Sequence, residues 1–272
     1  NLMDRAIISR TEKEAKEHVI LQNLDTSFQK IDELPFDFER RRMSVIVKDD
    51  SNVVSMVTKG ALEEMLNIST HVEYRGEVIP LTEDIRQEVL AEVGQLNRQG
   101  LRVLGVGYKS GLREDYAYTV TDESDMILTG YLAFLDPPKP SAAPAIQALL
   151  EHGVRTKILT GDNEKVTQAI CEKVGLDVEH ILLGADIDQM TDQELAEVVE
   201  KVTVFAKLSP DQKARIILQL KRNGHGVGYM GDGINDAPSM KVADVGISVD
   251  TAVDIAKETA DVILLDKDLM VL

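Results

Sequence analysis

The stretch YMGDGINDAPSM, Tyr229–Met240, sets a loop rich in glycine and oxygen-bearing side chains between an apolar run and a helix start. The run Val227–Met230 predicts a short strand, and Ala237 followed by a proline predicts the first turn of a helix. The loop carries Asp232, Asn235 and Asp236. A strand, a polar loop and a helix in this order predict one unit of an α/β fold.

The rest of the second half repeats this pattern of alternating strands and helices. Apolar runs rich in Val, Ile and Leu between capped helices are typical of a parallel sheet covered on both faces. Ligands of such sheets bind at the carboxyl ends of the strands. The predicted strands lie in RTKILTG, HILLGA, VTVFAK, GVGYMGDG, VGISV and DVILLD.

The first of these strand ends is KILTGDN. Thr160 and Gly161 close the strand, and Asp162 or Asn163 can cap the helix that follows. Backbone N–H groups at a helix start, together with the threonine hydroxyl, can bind a phosphoryl oxygen. An ordinary capped turn explains the same residues, and the local pattern leaves both interpretations open.

The second strand end is AKLSPDQKARI. Ser209 as N-cap and Pro210 at the first helical position predict a well-defined helix start. Lys213 then lies one turn into the helix, where its charge could neutralise a phosphoryl group during transfer. The alternative is a solvated lysine of the kind found on most helices.

The loop of Tyr229–Met240 is the third strand end. Mg²⁺ takes oxygen ligands, often one or two carboxylates together with phosphate oxygens and water, which favours an ion site at Asp232. Asp236, near a helix start, could orient Asn235 and the shell of the ion. The alternative is a tight turn in which Asn and Asp act as caps. No residue here is a convincing nucleophile, because both aspartates are better assigned to the metal.

The first half predicts an α+β domain with antiparallel strands. MSVIV and VVSMVT form a hairpin around Asp49–Asn52, and HVEYRGEVIPL forms a second one with Arg75 and Gly76 at its tip. In LAFLDPPKPSAAP, the cluster Pro137, Pro138, Pro140 and Pro144 is incompatible with a helix or a central strand running through it, so a hinge is expected there.

Two local patterns in the first half are compatible with a nucleotide site. PFDFERRR carries Phe36 and Phe38, whose rings could stack on a base, although core packing explains them better locally. KGA places Lys59 at a strand end and Gly60 at a helix start, which is a weak signal by itself. The chain contains no Walker-type phosphate loop.

Composition excludes several classes of function. The 272 residues carry a formal net charge of −17, which argues against a nucleic-acid or anionic-lipid surface. The single cysteine allows no disulfide within the chain, and no apolar run is long enough to span a bilayer.

Taken together, these motifs resemble the P-type cation-transporting ATPases. MGDGINDAP is among the most specific motifs of that family, and it occurs with KGA, DPPK and ILTGD in the order of the family. The longer stretches PFDFERRRMSV, LNRQGLRVLGVG and DVGISVDTAVDIAKETADVILLDKDLMVL resemble the bacterial magnesium-transporting branch. The resemblance extends over nearly the whole chain.

The resemblance implies two domains. Residues 1–135 would be the nucleotide-binding domain, and residues 136–272 would be a haloacid-dehalogenase-like, Rossmann-like phosphorylation domain. The family's phosphorylated aspartate lies in a DKTGT sequence, which this chain does not contain. We therefore expect a piece of a longer pump, without the first strand of the phosphorylation domain, the actuator domain and the membrane helices.

The resemblance also implies roles for individual residues. Those expected to bind ATP are Phe36, which would stack on adenine, Lys59, Gly60 and Arg102. Phe38 stands where some relatives have an arginine and receives no ligand role. Those expected to contact or neutralise the phosphoryl group are Thr160, Gly161, Asp162 and Lys213. Asp232 and Asp236 would ligate Mg²⁺, with Asn235 completing the loop.

The expected function is ATP hydrolysis through an aspartyl-phosphate, coupled to transport of a cation, Mg²⁺ by resemblance, at the cytoplasmic face of the bacterial inner membrane. Two alternatives stay open. One is a non-catalytic nucleotide-binding module, and the other is a soluble phosphatase of the haloacid-dehalogenase type, which would need its own DxD strand end.

Overall fold

The computed structural model describes residues 2–15, 27–176, 178–266 and 268–272. They form two compact units, one of Asn1–Leu96 with Leu101–Leu135 and one of Asn97–Gly100 with Asp136–Leu272. Within the described ranges, no helix combines the length and the apolar composition that crossing a bilayer requires.

The first unit is built on one seven-stranded sheet with the strand order β1-β2-β3-β6-β7-β4-β5. Its strands are β1 (Phe28–Leu34), β2 (Arg42–Asp49), β3 (Val54–Ala61), β4 (Ser69–Tyr74), β5 (Glu77–Pro80), β6 (Leu101–Ser110) and β7 (Met126–Leu135). Its helices are α1 (Leu2–Ala15), α2 (Leu62–Ile68) and α3 (Glu83–Arg98), with a 3-10 turn at Val120–Asp122.

Both predicted hairpins are confirmed. β2 pairs with β3 and β4 pairs with β5, each antiparallel. The second turn has Arg75 at φ 52° and Gly76 at φ 83°. Positive φ at both central residues matches the right-handed twist of the flanking strands.

The expectation of purely antiparallel pairing is wrong for one pair of strands. β4 lies parallel to β7, whereas the other neighbours in this sheet are antiparallel. β3 also runs parallel to β7, since both pair antiparallel with β6. The helix α2 therefore acts as a crossover between the parallel strands β3 and β4, which a hairpin could not connect.

Two apolar clusters stabilise the first unit. One contains Leu34, Ile46, Val54, Met56, Tyr118 and Met126. The other contains Leu62, Met65, Leu66, Val72, Val93 and Leu128, with Ile85 and Val89 of α3 packed against it. The apolar face of α3, which carries Ile85, Val89 and Val93, thus covers the sheet.

The second unit alternates strands and helices, as predicted. Its strands are β8 (Ile158–Leu159), β9 (Ile181–Leu183), β10 (Val204–Ala206), β11 (Gly228–Met230), β12 (Val245–Val249) and β13 (Val262–Leu264). Its helices are α4 (Ala142–Glu151), α5 (Glu164–Lys173), α6 (Gly184–Gln189), α7 (Asp192–Lys201), α8 (Pro210–Arg222), α9 (Ala237–Val242) and α10 (Asp254–Thr259). Short 3-10 turns occur at Ile234–Asp236 and Leu269–Val271.

These strands form two parallel sheets rather than the single sheet expected. Their orders are β8-β10-β9 and β11-β12-β13. No strand among the described residues lies between β8 and β11, so the ladder is interrupted there. Helix α8 joins the two sheets of this unit, because Ile216 packs in one apolar cluster and Ile217 packs in the other. Leu159 of β8 packs against both clusters.

Candidate functional site

The loops after β8 and β10 are tied together through their backbones. The Lys207 N–H donates to the Asp162 carbonyl at 2.7 Å, and the Leu208 N–H donates to the Thr160 carbonyl at 3.0 Å. The Asp162 N–H donates to the Thr160 hydroxyl at 3.1 Å. Asn163, and not Asp162, caps the next helix by accepting from the Val166 N–H. The sequence left Asp162 and Asn163 as alternative caps, and the structure shows that Asn163 is the cap.

Gly161, in the same loop, has room for a side chain. A Cβ there would come no closer than 3.5 Å to the Leu208 carbonyl oxygen. Packing therefore does not require glycine at this position. The role of Gly161 beside a phosphoryl group stays a prediction from the resemblance.

The helix after β10 begins as predicted and buries its lysine. Ser209 accepts from the Gln212 N–H, the Gln212 side chain bonds back to the Ser209 N–H, and Pro210 occupies the first turn. Lys213 is only 9% exposed, and its ammonium group lies 2.9 Å from Asp236 Oδ1. Lys213 is therefore not a solvated lysine, since its charge is held inside the unit by a carboxylate of the next loop.

Asp236 is the centre of the third loop. Its Oδ1 accepts from Lys213 and from the Tyr229 hydroxyl at 2.7 Å, and its Oδ2 accepts from the N–H groups of Asp232 at 3.3 Å and Gly233 at 3.1 Å. Burial by itself would raise the pKa of the Asp236 carboxyl, but the Lys213 charge and these hydrogen bonds outweigh it and lower the pKa. Asp236 is thus a buried, ionised anchor.

Gly231 is required by this anchor. A Cβ at Gly231 would lie 2.4 Å from the Asp236 Cβ, a distance that side chains do not reach. Glycine is needed at position 231 because the backbone there passes directly against the Asp236 side chain.

Asp232 differs from Asp236 in that its carboxylate is exposed. Its backbone carbonyl accepts from the Val253 N–H at 3.1 Å, which fixes the loop. The side chain of Asn235, half-buried, lies three residues further along the same loop.

The donor set fits Mg²⁺ only as an ion shared with a substrate. Within the described residues, no group of three His, Cys, Asp or Glu side chains could hold a metal ion. Both oxygens of Asp236 already have partners, so the carboxylate open to an ion is that of Asp232. One carboxylate is nevertheless what Mg²⁺ uses when phosphate oxygens and water complete its shell.

In the first unit, Lys59 and Arg102 share one face of the sheet. Lys59 of β3 pairs with Val106 of β6, and Ala61 pairs with Leu104. Side chains two residues apart on a strand point to the same side, so Arg102 lies on the Lys59 side. The two positively charged residues that sequence selected from distant stretches are therefore brought to one face.

Gly60 serves strand packing. A Cβ there would lie 2.5 Å from the Arg42 Cβ and 2.8 Å from the Arg41 carbonyl oxygen. Gly60 belongs to β3, which runs to Ala61, and the helix begins only at Leu62. The predicted helix start at Gly60 is thus two residues early.

Phe36 and Phe38 lie on the surface of this unit. They are 49% and 39% exposed, and their rings meet edge to face at 5.2 Å. Core packing, the local alternative from sequence, does not apply. Leu34 pairs with Ser44, and Arg42 pairs with Gly60, so the segment carrying the two rings leaves the sheet at the end where Gly60 lies.

A buried charge cluster in the first unit was not predicted. The Glu123 side chain is fully buried and accepts from Arg40, from Arg42 Nε at 2.7 Å and from the Ser44 hydroxyl at 2.7 Å. Burial would raise the pKa of Glu123, but the hydrogen bonds from Arg40, Ser44 and Arg42 lower it below its ordinary value. Two of the three arginines in ERRR therefore hold a carboxylate of their own unit.

The hydrogen bond of Tyr229 to Asp236 was the other buried polar contact that the sequence did not predict. The available signal was a tyrosine within an apolar strand, because a buried phenol needs a hydrogen-bond partner. Burial and the nearby Asp236 charge raise the pKa of Tyr229 well above its usual range, so its hydroxyl stays protonated and acts as a donor.

Comparison with known proteins places these sites in context. Residues 1–141 match the family model described as P-type ATPase, cytoplasmic domain N. The whole chain is 51% identical to a protein named Magnesium-transporting ATPase, P-type 1 from Salmonella typhimurium LT2 and 50% identical to its namesake from Escherichia coli K12. A Calcium-transporting ATPase 1 from Bacillus cereus is 36% identical over 89% of the chain. The chain spans 30% of the length of the two magnesium-transporting relatives and 28% of the third.

Proposed function

The chain belongs to the P-type ATPases, and from this premise we propose that it supplies the two ATP-handling domains of a pump that moves Mg²⁺ across a membrane. Residues 1–135 bind ATP, and residues 136–272 carry out phosphoryl transfer to an aspartate. The domains work at the cytoplasmic face of the bacterial inner membrane, with the actuator and membrane domains of the same pump as partners. The choice of Mg²⁺ follows the names of the relatives.

The observation that carries this proposal is the Lys213–Asp236 ion pair. It joins the helix after β10 to the loop after β11 at a distance of 2.9 Å in a buried setting. A lysine held at the ends of parallel strands can neutralise charge on a transferring phosphoryl group. Thr160, at the end of β8, offers a hydroxyl, and Gly161 leaves space for close approach.

The second role in this proposal, binding of the metal ion, belongs to the loop of Asp232. A Mg²⁺ ion bound there would neutralise phosphate charge and orient the group for transfer. Asp236 holds the loop in place through the N–H groups of Asp232 and Gly233. We assign Asp232 as the metal ligand and Asp236 as its support, with Asn235 completing the loop.

The phosphoryl acceptor comes from a further strand. β8 and β11 are bonded on one side only among the described residues, and Leu159 of β8 packs against the apolar clusters of both sheets. A parallel strand seated between β8 and β11 would complete one sheet. Its carboxyl end would then lie beside Thr160 and Asp232, where an aspartate can accept the phosphoryl group.

ATP binds to the first unit in this proposal. Phe36 stacks on adenine, while Lys59 and Arg102 contact the phosphates from one face of the sheet. Gly60 contributes indirectly, since it lets β2 and β3 lie close together beside Lys59.

Calorimetric titration of ATP into this chain tests the proposal. Lys59→Ala should weaken binding about tenfold or more, equivalent to ~1.4 kcal/mol, while Asp232→Ala should leave it largely unchanged. Lys48→Ala is the matched control, because Lys48 lies on the adjacent strand and pairs with Glu114. Equal losses in the Lys48 and Lys59 variants would contradict the assignment of the nucleotide site.

Labelled ATP tests the placement of the acceptor. The isolated chain should form no acid-stable, hydroxylamine-sensitive phosphoenzyme. Labelling of these 272 residues would mean that the acceptor lies within them and that the additional strand is not needed.

A further inference from the structure

Two donors of different kind share one oxygen of Asp236. The Tyr229 hydroxyl donates to Oδ1 at 2.7 Å, and the Lys213 ammonium donates to the same atom at 2.9 Å. Tyr229 and Lys213 are each 9% exposed, so water does not replace either donor readily. The proposed phosphoryl-transfer chemistry uses Lys213 and leaves the tyrosine without a role.

The two donors differ in freedom to move. Tyr229 belongs to β11 and packs in the apolar cluster that contains Ile217 and Met240. Its ring has two torsions, both restricted by this packing. Lys213 ends in a point charge on a flexible four-carbon stem, with three N–H donors that can be redirected. Oδ1 thus has one fixed neutral donor and one movable charged donor.

We propose that Tyr229 is a positioning residue that keeps Asp236 satisfied when Lys213 turns toward an incoming phosphoryl oxygen. This inference rests on the proposed function, in which Lys213 neutralises that oxygen. The tyrosine hydroxyl holds Oδ1, and Oδ2 keeps the N–H groups of Asp232 and Gly233, so the loop stays in place while the lysine moves.

The cost of losing a donor explains why the second one matters. A buried carboxylate that loses its partner is strongly destabilised. Without the Tyr229 hydroxyl, withdrawal of Lys213 would leave Oδ1 with no donor among the described residues. Lys213 would then be held more firmly on Asp236 and would be less available to a phosphate.

A double-mutant cycle on the whole chain tests the shared oxygen. Tyr229→Phe and Lys213→Met should each raise the unfolding equilibrium constant, and the double variant should exceed the product of the two effects by roughly tenfold. The coupling arises because only the double variant deprives Oδ1 of both donors. A purely multiplicative result would overturn the proposal.

Tyr118→Phe is the matched control. Tyr118 is also 9% exposed, and its hydroxyl donates to the Arg113 carbonyl at 2.6 Å in the first unit. This variant loses one buried hydrogen bond of the same kind, but it should combine multiplicatively with Lys213→Met. Tenfold coupling in this control as well would overturn the assignment to Asp236.

Amide hydrogen exchange separates positioning from a general loss of stability. Tyr229→Phe should speed exchange of the Asp232 and Gly233 amides several-fold, because both donate to the carboxylate that Tyr229 holds. Exchange in the apolar strands should change less. Uniform acceleration throughout the second unit would mean that the hydroxyl only stabilises the fold, and the proposal would fail.

Titration with inorganic phosphate, followed by NMR of the Lys213 ammonium group, tests the consequence for the ligand. Binding should be several-fold weaker in Tyr229→Phe and unaltered in Tyr118→Phe. Equal affinity in Tyr229→Phe and the unaltered chain would overturn the proposal. If the unaltered chain bound no phosphate, the proposed phosphoryl site would fail, while the cycle and the exchange rates would still decide the role of Tyr229.

Discussion

Replacing Glu123 by Gln should destabilise the first unit more than its small chemical change suggests. The substitution keeps the shape of the side chain but removes the charge that faces Arg40 and Arg42. Breaking a fully buried pair costs about 3–5 kcal/mol. The two arginine side chains are 15% and 13% exposed and retain some water, so we expect the lower end, about 3 kcal/mol.

Urea unfolding, followed by hydrogen exchange of peptides from β2 and β3, measures this effect in the first unit. With a urea slope of about 2 kcal/mol per M, the midpoint should fall by about 1.5 M. Glu114→Gln is the control, because Glu114 is 56% exposed and its ion pair with Lys48 lies at the surface. Its loss should stay within about 0.5 kcal/mol, as for other surface pairs.

The loss of stability at acidic pH gives a second measure of the ion pairs of Glu123 with Arg40 and Arg42. The pKa of Glu123 is lower in the folded state than its ordinary value of 4.5, so the unfolded chain binds the extra proton. Its contribution is therefore complete above pH 4.5 and disappears as the pH falls toward the folded pKa. Glu123→Gln should flatten the decline in this window. The reasoning would be refuted if Glu123→Gln and the original chain had equal urea midpoints and lost stability equally at acidic pH.

Gly60 and Gly161 differ in the room that each leaves for a side chain. Gly60→Ala should destabilise the first unit by about 1–3 kcal/mol, because the new Cβ would overlap Arg42. Gly161→Ala should change the free energy of unfolding by no more than about 0.5 kcal/mol. Equal losses of stability in thermal unfolding would contradict the packing argument. The pKa of Glu200 is lowered to about 2 by hydrogen bonds from Asn223 and His225, so its contribution is present above pH 4.5 and is lost as the pH falls toward 2. Glu200→Gln should remove that part of the acid dependence in denaturation at a series of pH values, and an unaltered profile would contradict it.

Much of the second unit was predictable because its signals are local. Ser209 and Pro210 mark a helix start by capping chemistry alone, and that start fixes where Lys213 lies. The strand-then-loop pattern placed Thr160 and Asp232 at strand ends. These inferences need only a few neighbouring residues and the rule that parallel strands end at one edge.

What could not be predicted depends on contacts between distant residues. Glu123 lies 83 residues from Arg40, and nothing local shows that the arginines would bond to it. Both oxygens of Asp236 accept hydrogen bonds within the unit, and the sequence around Asp236, which is also typical of a metal ligand, does not show these bonds. The contact that requires glycine at position 60 comes from Arg42 on the neighbouring strand, which the local pattern KGA does not show.

The parallel pair β4–β7 was missed for a similar reason. Helix α2 is seven residues long, shorter than most crossover helices, and the stretch around it resembles a meander of hairpins. Only the order of strands in the completed sheet shows that β3 and β4 run in the same direction. Direction is a property of the whole sheet and is not encoded in either strand.

The two outer strands of the seven-stranded sheet have a consequence for behaviour at high protein concentration. An edge strand presents unpaired N–H and C=O groups that can recruit a second molecule and seed aggregation. β1 carries Lys30, Asp32 and Glu33, and β5 has four residues and ends in Pro80, which has no N–H to offer. Both edges thus carry protection against intermolecular strand addition, and neutralising the charges of β1 should make this unit polymerise where the original chain remains dispersed.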